Sequence, residues 1–164
     1  MERAVNPMEF GKFFDELTVG EVIEHWPGKT VTEYDHHAFC LLTMVRHPIH
    51  LDAHWASTAT RHQQPLVIGS YIMSLLIGLS EQATSGRALS HRGFERVQHL
   101  APLMHGDTLY AESEVLSKEN LTGKPDRGLV TFETRGHNQL GTLIMAMQRT
   151  FVLPKKSTRD DGFS

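Results

Sequence analysis

One cysteine, Cys40, in 164 residues has no partner for an internal disulfide and excludes a CxxC metal or redox centre. An excess of basic charge is also lacking. Lys and Arg number 16 against 19 Asp and Glu, a net charge of −3, and no segment concentrates them. That excludes nucleic acid as the expected partner. With 13 Gly and 7 Pro the chain has no excess of either, which argues against disordered, collagen-like and low-complexity classes. Long apolar runs are missing too. The longest, Leu66 to Leu79, is broken by Gly69, Ser70, Tyr71, Ser74 and Gly78 and falls short of a bilayer span, so no membrane partner is expected. Met1 to Pro7 holds no apolar signal core, and the expected location is the cytoplasm. A mass of 18.5 kDa fits one domain over 1–164, with a core of about 10–155 and a polar tail at 156–164 that is expected to fray.

Histidine is what the chain has in excess. There are 11, and His36, His37, His47, His50, His54 and His62 fall within 27 residues. Clustered imidazoles mark either chemistry near neutral pH or a wet surface.

The pattern places helices first and strands second. Glu21 to Thr32 reads as extended, with a turn signal at Pro27-Gly28. Thr32 and Asp35 form a capping-box pair opening a helix from Glu33 to about Met44. Pro48 suits a first helical position, so Ile49 to Thr60 is expected as a second helix, with His50 and His54 on one face. Pro65 precedes a third, Leu66 to Thr84, apolar nearly all round and therefore expected to be buried. Glu95–Met104, Asp107–Glu119, Gly128–Gly136 and Thr142–Leu153 read as four strands of an antiparallel meander. The fold class is α+β, a curled sheet around a long central helix.

Three ordered segments then point to a family. Thr32-Glu33-Tyr34-Asp35 with its helix, followed by His47-Pro48-Ile49-His50-Leu51-Asp52 and Ala56 or Ala59, resembles the signature of the MaoC-like hydratases and dehydratases. Pro102 to Leu109 (PLMHGDTL) is similar to that family's "P-V-x-x-G-D-T-L" hairpin, and Asn138 to Gly141 with Phe151 to Pro154 to its closing hairpin. The stretch from Lys124 to Gly141 is similar to the mesaconyl-CoA and itaconyl-CoA hydratase-like subgroup. The resemblance covers about Phe10 to Lys155 and implies the hotdog fold.

It also implies a reaction, the reversible addition of water across the α,β double bond of a short or branched acyl-CoA thioester. Coenzyme A is then part of the substrate, and neither a separate cofactor nor a metal is implied. The chemistry needs a proton acceptor for water, a donor for the α carbon, and hydrogen bonds for charge growing on the thioester oxygen. By resemblance His50 is the acid/base and the Gly69 N–H polarises the carbonyl, with Ile68 and Ser70 beside it. The family's aspartate, five residues before the histidine, is Val45 here, and its asparagine is His47. His47 is the proposed stand-in for the missing carboxylate, and Asp35 and Asp52 are the other nearby acids. The family further implies a homodimer or higher homo-oligomer. Two rivals follow from Val45 and from the fold: an acyl-CoA thioesterase, for which Glu81 is the acid on the long helix, and a hotdog protein that binds acyl-CoA without turning it over.

Plainer roles compete for the same residues. His47 suits a helix cap, His54 a solvated position, and His36 and His37 a solvated helix face. Asp52 is expected to bond loop backbone, Asp107 to fix a turn, and Cys40, Met73, Met104, Met145 and Met147 to fill core. A zinc site from His47, His50 and His54 lacks the glutamate of HExxH. Arg92, Arg96, Lys118, Lys124 and Arg127 are candidates for coenzyme A phosphates.

Overall fold

The computed structural model describes residues 10–156; the expected signal-free start and most of the polar tail lie outside them. A nine-residue strand, β1 (Val22–Thr30), leads into α1 (Glu33–Leu42), two short helices α2 (Pro48–Leu51) and α3 (Ala53–Ala59), and the long α4 (Gly69–Thr84). Four strands follow: β2 (Ser90–His99), β3 (Thr108–Asn120), β4 (Arg127–His137) and β5 (Leu143–Pro154). All pair antiparallel, in the order β1-β3-β4-β5-β2.

The local rules explain where the helices begin. Thr32 accepts from the Asp35 amide and the Asp35 carboxylate accepts from the Thr32 amide, so the expected capping box is present. His47 Nδ1 accepts from the Ile49 N–H, 3.2 Å away, and Pro48 follows at the first helical position. The expected helix over Ile49–Thr60 breaks at Asp52. Its backbone is extended (φ −106°, ψ 97°) and its carboxylate caps Trp55 N–H at 2.8 Å, restarting the chain as α3. His54, past that break, is exposed.

Three expectations need correction. The meander holds for β3, β4 and β5 only, because β2 pairs with the far edge of β5 and β1 takes the free edge of β3. The strand expected at Glu95–Met104 starts at Ser90 and ends at His99. Beyond it the Leu100 and Ala101 amides still donate to the Ile144 carbonyl of β5, and the chain then leaves the sheet: Leu103 O accepts from Val67 N–H and Met104 bridges Leu66 on the segment entering α4. The turn signal at Pro27-Gly28 does not end β1. The strand runs through a register shift between His25 and Lys29.

The curled sheet buries α4 along one row rather than all round. Tyr71, Ile72, Leu76, Ser80 and Thr84 are buried, whereas Ser70, Ser74 and Gly78 are exposed. Ile72 and Leu76 pack with Val31, Leu103, Leu109, Ile144, Met145 and Met147 in the main core. A second cluster joins Phe14 and Leu17 to Val115, Val130, Phe132, Phe151 and Leu153. Cys40, Met145 and Met147 are wholly buried, as expected. The polar end of the α4 row meets Arg149, 1% exposed, whose guanidinium donates to the hydroxyls of Ser80, Thr84 and Thr134. Among the described residues no helix is long and apolar enough to cross a membrane.

Candidate functional site

The start of α4 is where sheet, turn and helices converge. Its N-cap position, Ile68, has no side-chain cap of its own. The amides of Tyr71 and Ile72 turn back to the Ile68 carbonyl, at 3.0 and 3.2 Å. Helix geometry leaves the N–H groups of Gly69 and Ser70 without intrahelical acceptors. They lie at the positive end of the helix, where negative charge is stabilised.

Gly69 also allows a close approach that no other residue permits. A Cβ at this position would lie 1.9 Å from His99 Cε1 on the last residue of β2. A cleft of about 300 Å³ opens there, lined by Gly69, Ile72, His99, Leu66, Val67 and the 100–103 segment, with Arg61 and His62 at its polar side.

His50 sits on α2, half-buried, and its Nδ1 lies 2.8 Å from the Leu66 carbonyl. A carbonyl only accepts, so Nδ1 carries the proton and the neutral ring presents Nε2 as its basic atom. The Leu66 N–H in turn donates to the Ile49 carbonyl, at 3.0 Å, which ties α2 to the approach to α4. Leu66 lines the cleft; His50 does not, so within one chain the expected acyl slot reaches the helix start but stops short of the imidazole.

The other expected site residues lie as follows. The His47 ring meets His50 edge-to-face, with centroids 6.2 Å apart, and its Nδ1 is committed to Ile49. It is Leu66, not His47, that orients His50 through a hydrogen bond. Val45 is half-buried at the end of α1, its amide closing on the Cys40 carbonyl at 3.0 Å. Asp52 faces away as the cap of α3, and Asp35 is paired with Lys29 at 2.7 Å. Asp107 accepts from the Met104 N–H and from Gln139, which fixes the turn before β3. Among the candidates for coenzyme A phosphates, Lys118 donates to the Leu17 carbonyl and Arg127 pairs with Asp126.

The residue that sequence reasoning misplaced is His36. Expected on a solvated face, it is wholly buried, because α1 turns the 36, 39, 40 stripe inward with Phe39 and Cys40. Its Nε2 accepts the Ile68 N–H at 3.0 Å, and its Nδ1 lies 2.8 Å from His105 Nε2. Since Nε2 accepts, the proton of the neutral ring is on Nδ1 and is donated to His105. Its ring is edge-on to His50, with centroids 6.0 Å apart, and stacked near Tyr71. Burial, with the neighbouring imidazoles of His105, His50 and His37 adding to it, pushes the His36 pKa down to about 4. Burial and then His37 lower that of His105 as well. His37, also expected on a solvated face, is half-buried, with its Nε2 shielded from solvent and its Nδ1 3.9 Å from a Glu33 oxygen.

The ligating nitrogens of His36, His37 and His105 lie within 4.8 Å of one another. By distance alone they suit a metal. The proton count does not, because a ligand bond at His36 Nδ1 would require an imidazolate or loss of the Ile68 hydrogen bond. His36 and His105 form a hydrogen-bonded pair, and His37 meets both through ring contacts only.

The chain matches the family model described as mesaconyl-CoA hydratase over residues 1–163. It belongs to that family. Mesaconyl-CoA hydratase of Cereibacter sphaeroides is 30% identical over 90% of this chain and 43% of its own length. The (R)-specific enoyl-CoA hydratase of Aeromonas caviae is 31% identical over 71% of this chain and 82% of its own. A double-hotdog protein of Mycobacterium tuberculosis superposes with a TM-score of 0.76, covering 90% of this chain and 46% of that one at 23% identity, which establishes the hotdog architecture. The chain thus spans less than half the length of the Cereibacter member of the mesaconyl-CoA hydratase family.

Proposed function

We propose that this protein hydrates, or in reverse dehydrates, the α,β double bond of a short or branched acyl-CoA thioester. The observation that supports this most directly is the His50 Nδ1–H held by the Leu66 carbonyl, which leaves Nε2 free as a base close to the first turn of α4. In the forward direction His50 Nε2 takes a proton from water as its oxygen bonds to the β carbon. The electron pair of the double bond moves to the thioester oxygen, where the Gly69 and Ser70 amides hold the developing charge. The proton on His50 then passes to the α carbon, and no redox cofactor or metal takes part. The family relatives act, by their names, on mesaconyl-CoA and enoyl-CoA, which fits this substrate class.

A homodimer completes the site in this reading. The cleft stops short of His50, the Ser70, Ser74 and Gly78 row of α4 is uncovered, and β2 is an open sheet edge carrying half-exposed Phe94 and Val97. An open edge and an uncovered helix row are the surfaces a second copy would occupy. Val45, in place of an aspartate, favours a second reading, an acyl-CoA-binding protein without turnover.

The test is a panel of enoyl-CoA and hydroxyacyl-CoA esters, followed both by loss of the conjugated double bond and by release of free thiol. Hydration that drops at least about a hundredfold in His50→Ala supports the proposal. Thiol release without hydration would identify a thioesterase, and binding without either signal a non-catalytic protein.

A further inference from the structure

His36 has no part in the chemistry described above, yet it is a fully buried polar side chain joined to the helix that supplies the oxyanion donors. Four observations define what it does. Ile68, the N-cap position of α4, lacks a side-chain cap. The Ile68 N–H is satisfied from another helix, by His36 Nε2. The tautomer that permits this is set by His105, which accepts the Nδ1 proton at 2.8 Å. The next two amides, of Gly69 and Ser70, are the ones helix geometry leaves for a ligand.

We propose that His36 is a positioning residue for the hydration reaction, a cap supplied in trans that fixes the Ile68 peptide and so aims the Gly69 and Ser70 N–H groups. The inference rests on the hydratase reading and deepens it by assigning the oxyanion turn its support. His105 belongs to the same device. By accepting from Nδ1 it keeps a lone pair, and not a proton, on the face of His36 turned to Ile68. With the tautomer reversed, two N–H groups would confront each other at 3.0 Å, and the Ile68 peptide would have to turn away.

The role predicts a kinetic signature distinct from that of His50. Interactions made only in the transition state lower kcat and leave KM in place. His36→Gln carries an amide oxygen at about the reach of Nε2 and can accept from Ile68. His36→Phe fills similar space with no acceptor. His105→Phe removes the group that holds the tautomer while touching neither α4 nor the cleft.

The experiment compares these three variants with wild type in the enoyl-CoA hydration assay. Two-bond ¹⁵N–¹H correlation of the histidine rings reports the tautomer, and thermal melts confirm that each variant is folded. We expect kcat to fall about tenfold or more in His36→Phe, as for a misplaced donor. KM should change little, His36→Gln should recover most of the rate, and His105→Phe should lose rate together with the Nδ1–H tautomer of His36. Equal kcat in folded His36→Phe and wild type would overturn the proposal while leaving the hydratase reading standing. So would failure of a folded His36→Gln to recover any rate. Tight Zn²⁺ binding to wild type that is lost in His36→Gln would also overturn it, since a ligated Nδ1 carries no proton. If wild type itself hydrates nothing, the hydratase reading falls first, and the tautomer measurement then decides whether the trans cap exists.

Discussion

Adding one methyl group at Gly69 tests the oxyanion turn most sharply. The Cβ of Gly69→Ala would stand 1.9 Å from His99 Cε1, 2.6 Å from Nδ1 and 2.9 Å from Nε2, so the ring must leave. It can do so, because His99 is exposed at the end of an edge strand. Moving it off its preferred rotamer costs about 0.5–1.5 kcal/mol. Replacing glycine by alanine returns roughly 0.5–1 kcal/mol in a helix interior and less at Gly69, the first residue of α4. The two nearly cancel, and a residual of about 1 kcal/mol would move the melting temperature by only ~2–4 °C. Catalysis has no such compensation. The methyl and the displaced ring both occupy the cleft beside the amide that receives the thioester oxygen, and a misplacement of about 1 Å there costs on the order of 10²-fold. Enoyl-CoA hydration measured beside urea denaturation should therefore show kcat/KM down by about one to two orders of magnitude at nearly unchanged stability. A Gly69→Ala protein with wild-type kcat/KM would refute the placement of the oxyanion at this turn. A drop in melting temperature well beyond ~4 °C would refute the claim that His99 yields freely.

Two further perturbations probe other parts of the argument. Val45→Asp places a carboxylate where the resembling family has one, and should raise or preserve hydration; loss of a measurable native activity would show that this site uses a different geometry. Stability should depend on pH through His25 and His36, which are buried and lowered to about 4, His25 by burial and then by the Arg149 charge. The folded state keeps both neutral while the unfolded chain binds protons below the ordinary value near 6.5. Their contribution is therefore complete above about pH 6.5 and is lost as pH falls toward 4. It amounts to roughly 3 kcal/mol each, from about 1.4 kcal/mol per pKa unit. Urea midpoints at pH 7, 5.5 and 4.5 check this, and a flat profile would contradict the neutral assignment.

Much of this was legible because it is local. The Thr32 and Asp35 box, the His47 cap and the turn at Asn138 to Gly141 are written in residues within a few positions of one another, whereas α4, expected from Leu66, begins at Gly69 without a local side-chain cap. What escaped depends on distant partners. β2 ends before Met104 because Leu103 and Met104 pair with the Leu66 approach instead of with the sheet, an interaction no period-2 pattern reveals. His36 was assigned to solvent because histidines near a helix start usually are. The signal against it was its i, i+4 relation to Cys40 and i, i+3 relation to Phe39, an apolar stripe with one imidazole in it. His105 gave no local sign at all, lying in a turn 69 residues from its partner. The break at Asp52 was foreseeable, since Asp is a strong cap and interrupts helices by the same means.

The Arg149 guanidinium is embedded beneath α4, over the Phe151 ring, and donates to the hydroxyls of Ser80 and Thr84 on the helix and Thr134 on the sheet. A change of one residue in helix phase, about 100° of rotation, would sweep both helix hydroxyls away and strand a cation in hydrocarbon. The far end of the rod is thus clocked against the sheet by a charge, and the azimuth of its opening turn at Gly69, at the other end of the helix, is inherited from that key.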